Sequence, residues 1–223
     1  MKFLYILLFS SAMHAAVSPV LLEHPQLPTK DKLSLVRGGE AFKNRCVSCH
    51  SLNLAGYEPL LAEVGLDKSI MPQHDPVAWQ GHPPPDLSLV ARTRGTGWIF
   101  TYLHSFYNDP ENPKGYNNLL MPNASMPAVL SDLQGSFILS DKYKNIAGIP
   151  HKAHWFAYLE QEQEGSLTSE EYEQYVLDLV NFLDYVAEPY KNERINLGWK
   201  VISFLLAFAV VARMLYHSYW RSK

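Results

Sequence analysis

The sequence predicts an all-α domain with long loops, followed by one membrane-spanning helix. Apolar residues repeat with helical spacing over the segment that starts at Tyr172 and ends at Val186. Thr168 and Glu171 form a capping box before this segment, and Pro189 ends the pattern. A second helical stretch, LSLVRGGEAFKNR, covers residues 33–45, and an uncharged apolar run, VISFLLAFAVVA, covers residues 201–212.

The repeating apolar positions of the late helix are expected to face the core of the domain. They are Tyr172, Tyr175, Val176, Leu179, Leu183 and Val186. By contrast, residues 54–85 are rich in proline and glycine and show no strong period, which indicates loops. Gly38 and Gly39 weaken the early helix unless another helix crosses it closely.

The first 16 residues, MKFLYILLFSSAMHAA, have the layout of a secretory signal peptide. One charge at Lys2 precedes an apolar run, and small residues follow it. A buried N-terminal helix is the alternative, but the run is short and close to the start of the chain. We therefore expect residues 17–196 to be an exported domain.

The apolar run near the C-terminus is expected to be a membrane anchor over residues 197–219. Twelve uncharged residues alone would suit a buried helix, because a span needs ~20. Lys200 and Arg213 can extend their charges to the interface, however, and aromatic side chains flank the run. The loop charges are balanced, so the signal peptide sets the orientation, with residues 220–223 in the cytoplasm.

Charge is unevenly distributed along the chain. The net charge is −3 overall, but residues 17–196 hold 14 Lys and Arg against 22 Asp and Glu, a balance of −8. Residues 153–190 contain nine carboxylates and no Lys or Arg. An acidic domain repels nucleic acid and attracts basic proteins, so we expect no nucleic-acid partner.

The chain has two cysteines, and both lie in the motif CxxCH as Cys46, Cys49 and His50. A disulfide oxidoreductase would place CxxC at the start of a helix, whereas this motif follows a helical stretch. Structural zinc needs four ligands, and no second cysteine pair exists. Covalent haem c attachment needs only these residues: two thiols for the vinyl groups and one imidazole for the iron.

An electron-transfer haem c commonly takes a methionine sulfur as its sixth iron ligand. Met71, Met121 and Met126 lie downstream of the haem motif, and a proline follows each of them. A residue before proline is biased towards extended backbone, so none of the three is expected in mid-helix. The residues themselves leave the choice between these methionines open.

Four segments together resemble the cytochrome c1 family. They are RGGEAFKNRCVSCHSL around the haem motif, PPPDLSLVARTRG, MPAVLSDLQG and LVNFLDYVAEP, in the order found in that family. The resemblance implies a class I c-type cytochrome-like haem domain whose first and last helices pack together. It also implies that His50 is the proximal iron ligand and that Met126, at the start of MPAVL, is the distal one.

The resemblance further implies that Arg94 pairs with a haem propionate, with Arg92 as the alternative, because arginine binds carboxylates through paired hydrogen bonds. Trp98 stands where many relatives have tyrosine, and its indole N–H is a possible donor. The implied function is electron transfer without catalytic chemistry of its own. In this role the chain is the haem c subunit of ubiquinol-cytochrome c reductase and docks on cytochrome b.

By the same resemblance, the electron comes from the Rieske iron-sulfur protein and passes to a cytochrome c. The location implied is the bacterial inner membrane, with the haem domain in the periplasm. Three alternatives remain at this point. The chain could belong to another respiratory complex, it could be an open-site haem c enzyme such as a peroxidase or small-molecule reductase, or it could be a scaffold with a structural haem.

Overall fold

The computed structural model describes residues 20–29, 31–55, 59–66, 70–72, 83–144 and 153–221. The predicted signal peptide, residues 1–16, lies outside the described residues. Among those described, two compact units are found: the first holds residues 20–24 and 100–172, and the second holds residues 25–99 and 173–221. Each unit is described separately below.

Eight α-helices are found in the described part of the chain: α1 (Lys32–Arg45), α2 (Pro59–Glu63), α3 (Val90–Thr93), α4 (Thr96–His104), α5 (Ser131–Gln134), α6 (Asp141–Lys144), α7 (Ser169–Ala187) and α8 (Lys191–Trp220). A 3-10 helix covers Trp155–Ala157. Four strands complete the described elements: β1 (Phe106–Asn108), β2 (Tyr116–Asn118), β3 (Gly135–Leu139) and β4 (Leu159–Glu164).

The first unit contains a small mixed sheet with the strand order β2-β1-β3-β4. β1 pairs antiparallel with β2 and parallel with β3, and β3 pairs antiparallel with β4. The expectation of an all-α domain is therefore confirmed in its mostly helical content but was wrong to leave out this sheet. The strands are only three to six residues long, and five of the six residues of β4 are exposed, so no alternating apolar pattern marks them.

The second unit is built on close packing of α1 against α7, as Gly38 and Gly39 predicted. A Cβ at Gly38 would lie 2.0 Å from the backbone oxygen of Asp178, and one at Gly39 would lie 3.2 Å from the Phe182 ring. The rings of Phe42 and Phe182 are 5.9 Å apart, and both side chains are fully buried. Glycine at the crossing lets these aromatic groups interlock.

The capping box of α7 is confirmed. The Thr168 amide donates to the Glu171 carboxylate over 2.9 Å, and the Glu171 amide donates to the Thr168 hydroxyl over 3.2 Å. The helix ends at Ala187, just before Pro189. Of the predicted core positions, Tyr175 is half-buried and the others are at most 3% exposed. The described part of residues 54–85 is irregular apart from α2.

Helix α8 is long and apolar enough to cross a membrane over Glu193–Trp220, and its most apolar 18-residue stretch has a mean hydropathy of 1.9. None of the most apolar 18-residue stretch of this helix is buried against the rest of the protein. A helix with apolar side chains on all sides needs a nonpolar environment. The predicted anchor, residues 197–219, lies within it.

Candidate functional site

The CxxCH motif begins where α1 ends, in the second unit. Cys46 is the C-cap of the helix, and its amide donates to the Phe42 carbonyl over 2.8 Å. The amides of Cys49 and His50 both donate to the Cys46 carbonyl, over 3.0 and 2.8 Å. These bonds wind the motif into a turn after the helix. Backbone hydrogen bonds therefore fix the positions of both cysteines and of His50.

The two thiols are not joined by a disulfide, and their chemistry does not match a thiol redox site. Burial, followed by the neighbouring Cys49 sulfur, raises the pKa of the Cys46 thiol to about 12. A disulfide oxidoreductase needs the opposite shift, because its nucleophile is a thiolate at neutral pH. Within the described residues no group of three or more His, Cys, Asp and Glu side chains is arranged to hold a metal ion.

His50 has an imidazole of fixed orientation. Its Nδ1 lies 2.9 Å from the carbonyl oxygen of Pro85, which can only accept, so Nδ1 carries the proton and donates. The lone pair is then on Nε2. Histidines that ligate metals are commonly oriented by such a second hydrogen bond, which also makes the ligating nitrogen more basic. Pro85 was part of a motif quoted for the family resemblance, but its contact with His50 was not predicted.

Asp86, next to Pro85, ties the two segments together. Its carboxylate accepts from the Ser51 hydroxyl and the Asn53 amide, both over 2.7 Å, and from the Ser88 amide over 2.9 Å. Burial raises the pKa of Asp86, but hydrogen bonds from Ser88, Ser51 and the two amides outweigh it, so the pKa lies below its ordinary value. The ionised Asp86 thus joins the segment that follows His50 to the segment that follows Pro85, next to the His50–Pro85 contact. No local sequence signal marked this role.

The basic residues proposed for propionate binding follow in the same unit. Arg92 lies in α3, and Arg94 is its C-cap. Both side chains are exposed. The Arg94 guanidinium carbon lies 5.1 Å from the centre of the half-buried Trp98 ring. This cation–π contact orients Arg94 without using its N–H donors.

The three methionines differ in exposure. Met71, in the second unit, is 6% exposed and belongs to the buried hydrophobic residues. Met121 is 37% exposed, whereas Met126 is half-buried, and both lie in an irregular segment of the first unit. A buried position suits packing by Met71.

The donor set in the second unit fits a haem c. Cys46 and Cys49 offer two unbridged thiols, and the next residue offers an imidazole whose Nε2 carries the lone pair. This arrangement matches covalent attachment through two thioethers and proximal ligation of iron. The fit follows from the chemistry and spacing of the donors.

Comparison with known proteins identifies one matching family model and several similar relatives. A model of the Cytochrome C1 family matches residues 159–223. The chain is 34% identical to cytochrome c1 of Allochromatium vinosum, over 97% of this chain and 96% of the relative. It is 32% identical to the ammonia monooxygenase gamma subunit of Nitrosomonas europaea, over 98% and 95%. It is 29% identical to cytochrome c1 of Blastochloris viridis, over 80% and 77%.

Proposed function

The chain belongs to the cytochrome c1 family of electron-transfer proteins, and on that basis we propose that it is the haem c subunit of a membrane-bound ubiquinol-cytochrome c reductase. In this role it accepts one electron from a Rieske iron-sulfur protein and passes it to a cytochrome c. It docks on cytochrome b and performs no substrate chemistry of its own.

In this proposal, four side chains hold the haem. Cys46 and Cys49 attach it through thioethers, His50 is the proximal ligand, and Met126 is the distal ligand. Haem c, when bound, supplies one-electron redox chemistry at its iron. The protein's part is to orient the ligands: the Pro85 carbonyl fixes the His50 tautomer, and the Asp86 contacts hold the segment in place. Ligation of the iron by the Met126 thioether would raise the reduction potential and exclude external ligands.

Charge is the basis of two further parts of the proposal, the contact of the haem propionate and the choice of electron acceptor. Arg94 is the proposed partner of a propionate, with Arg92 as the alternative, and Trp98 supports the guanidinium through the cation–π contact. The acidic balance of residues 17–196 favours a basic electron acceptor, because opposite charges raise the rate of encounter.

The proposed location is the bacterial inner membrane, with residues 17–196 in the periplasm. Helix α8 is the proposed single anchor, because it is long enough and carries exposed apolar side chains throughout. Residues 220–223 then form the cytoplasmic tail. The location is consistent with a bacterial cytochrome c1 as a relative.

The observation that carries the proposal is the hydrogen bond from His50 Nδ1 to Pro85 directly after the two thiols. Two measurements test it. Purified protein should keep its haem through acid-acetone extraction, and loss of all haem would contradict covalent attachment. Native purification from membranes should recover a b-type cytochrome and a Rieske protein with the chain.

A second candidate function has one specific observation in its favour. The Nitrosomonas europaea relative is an ammonia monooxygenase gamma subunit by name, and the alignment covers nearly all of both chains. The same haem domain would then serve as a subunit of a different membrane redox complex. Recovery of a monooxygenase in place of the b-type cytochrome and Rieske protein would support this second function.

A further inference from the structure

The residues directly before Met126 are held from one side by a hairpin. The hairpin is residues 106–118, in which β1 and β2 pair in the register Phe106 with Asn118 and Asn108 with Tyr116. The methionine loop is residues 119–130, which follows β2 directly. Both belong to the first unit. Exposed loops normally bond their backbone groups to water, whereas this one bonds them to side chains of the hairpin.

The hairpin has an ordered turn. The Asp109 amide donates to the Gly115 carbonyl over 3.1 Å, and Gly115 adopts a φ of +79°, which glycine reaches without strain. The Asp109 carboxylate accepts from the Glu111 amide over 3.1 Å and from the Asn117 side chain over 2.8 Å. The turn therefore fixes the side chains that extend from it.

Two of these side chains bind three consecutive carbonyls that precede Met126. The Lys114 ammonium donates to the carbonyls of Asn123 and Ala124, over 3.3 and 3.1 Å. The Tyr116 hydroxyl donates to the carbonyl of Ser125 over 3.2 Å. The last of these carbonyls is part of the peptide bond that begins Met126, so its direction sets where the Met126 side chain starts.

Two asparagines of β2 hold the methionine loop by accepting hydrogen bonds from its backbone amides. Asn117 Oδ1 accepts from the Asn123 amide over 2.8 Å. The buried Asn118 accepts through Oδ1 from the Leu120 and Met121 amides, over 2.9 and 3.2 Å. Its Nδ2 donates to the Tyr102 carbonyl over 2.9 Å. Asn123 has a φ of 62°, in the left-handed region, and these contacts hold it there.

We propose that the hairpin is a clamp that presents the Met126 sulfur to the haem iron, with Lys114 and Tyr116 as positioning residues. This inference rests on the proposed role of Met126 as the distal ligand. A thioether is a weak iron ligand, and ordering a free loop opposes its binding. Because the clamp orders the loop during folding, the loop loses its conformational entropy before the sulfur binds. The sulfur therefore stays on the iron for a larger fraction of time.

Weakening the clamp should shift the protein from the form with the Met126 sulfur on the iron towards the form with the sulfur off the iron. Loss of the single hydrogen bond of Tyr116, or of the two hydrogen bonds of Lys114, should raise the sulfur-free fraction about tenfold. Cyanide binds ferric haem when the sulfur leaves, so its apparent affinity reports this fraction. Amide hydrogen exchange in the peptide 122–128 reports loop opening independently of the iron.

The test uses full-length haem protein in detergent and six single-residue variants. Tyr116→Phe removes one hydroxyl without a change of charge, and Lys114→Met removes the ammonium. Lys114→Arg should restore most of the wild-type behaviour, because it keeps the donors. Lys32→Met is the matched control for loss of charge, since Lys32 is exposed at the start of α1 and pairs with Glu63.

Ser140→Ala is the control for stability. It removes a hydrogen bond to Glu160 of β4, in the same unit, and this bond involves no residue of the hairpin or of the methionine loop. We expect Tyr116→Phe and Lys114→Met to bind cyanide about tenfold more tightly and to exchange the 122–128 amides faster. We expect both controls to match the wild type.

The other outcomes distinguish an error in the proposed function from an error in the clamp. If Met126→Leu keeps the sulfur-iron absorption band, the ligand in the proposed function is wrong. If Met126→Leu loses the band but the Tyr116 and Lys114 variants bind cyanide like the wild type, the clamp is wrong and the proposed function stands. If Ser140→Ala raises cyanide affinity as much as Tyr116→Phe does, the effect is general destabilisation and the clamp is again wrong.

Discussion

Gly38 and Asp178 bring the backbones of α1 and α7 into direct contact, since a Cβ on Gly38 would lie 2.0 Å from the Asp178 oxygen. The Asp178 side chain strengthens the same crossing. Its carboxylate accepts from the Ser34 hydroxyl and from Arg37 Nε, each over 2.6 Å. The haem motif begins at the end of α1, so this crossing sets the direction in which the motif leaves the core.

Gly38→Ala should destabilise the protein. The new methyl group meets backbone atoms that no rotamer change can move, so the helices must separate. We expect the free energy of unfolding to fall by about 3 kcal/mol, although alanine favours helix by ~1 kcal/mol over glycine. Urea unfolding followed by far-UV circular dichroism measures the change.

Gly198→Ala is the matched control. Gly198 also lies in a helix, α8, but a Cβ there meets nothing within 4 Å. Alanine should leave stability unchanged or raise it by up to ~1 kcal/mol. An equal loss of stability in both variants would show that the Gly38 crossing is not the cause.

The three longest helices, α1, α7 and α8, were predictable from the sequence because their signals are local, whereas the short helices α2 to α6 were not predicted. The capping box of Thr168 and Glu171 and the apolar stripe of α7 are both confirmed. The sheet was not predictable, because strand β4 reads LEQEQE and is held by its pairing with β3 rather than by an apolar face. Long-range pairing of short polar strands leaves no periodic mark in the sequence.

The same difference between local and long-range signals applies to the candidate site. The sequence predicted the two thiols and His50 as site residues because the CxxCH motif is contiguous. The Pro85 carbonyl and the Asp86 carboxylate were missed, since each acts on a residue more than 30 positions away. The clamp residues Lys114 and Tyr116 were missed for a similar reason: their partners are backbone carbonyls, which any residue provides.

A chain that ends at Asn196 should be a soluble haem protein. The proposed ligands all precede this position, and the removed part of α8 makes up the proposed anchor. We expect the truncated protein in the periplasmic fraction with an unchanged haem spectrum. Fractionation and absorption spectroscopy check this. Truncated protein that stays with membranes after its partners have been removed would mean that the anchor lies elsewhere.

His104 should make the stability of the first unit depend on pH. Its side chain is 4% exposed, and its ring lies 4.3 Å from that of Phe100 and 5.0 Å from that of Tyr172. Burial lowers the pKa of His104 to about 4, although the hydrogen bond to the Phe100 carbonyl and the charge of Glu23 act in the opposite direction. The folded protein therefore keeps this imidazole neutral.

In the unfolded chain the same group has a pKa of ~6.5. Between these two values the unfolded state binds the proton and the folded state does not, so stability is complete above pH ~6.5 and falls as the pH decreases towards 4. The largest loss from His104 is ~3 kcal/mol. Urea unfolding between pH 4 and 7 measures it. His104→Phe should be less dependent on pH over this range, and an unchanged slope would assign the effect to other groups.

The two methionines of the methionine loop should respond in opposite ways to leucine. Five extended residues span up to ~18 Å, so Met121 and Met126 cannot exchange places without remodelling the loop. Met121 is 37% exposed, and its amide is already held by Asn118. Met121→Leu is nearly isosteric and should cost less than ~1.5 kcal/mol, with spectrum and potential almost unchanged.

Met126→Leu should lose the far-red absorption band of the sulfur-iron bond and lower the reduction potential steeply. Leucine has no lone pair, and a vacant or weaker sixth position no longer favours ferrous iron. Pro127 keeps Met126 out of helical backbone, and the clamp holds the three carbonyls before it, so no neighbouring sulfur can reach the same place. Redox titration of both variants decides the matter: a steep drop for Met121→Leu with none for Met126→Leu would reverse the assignment.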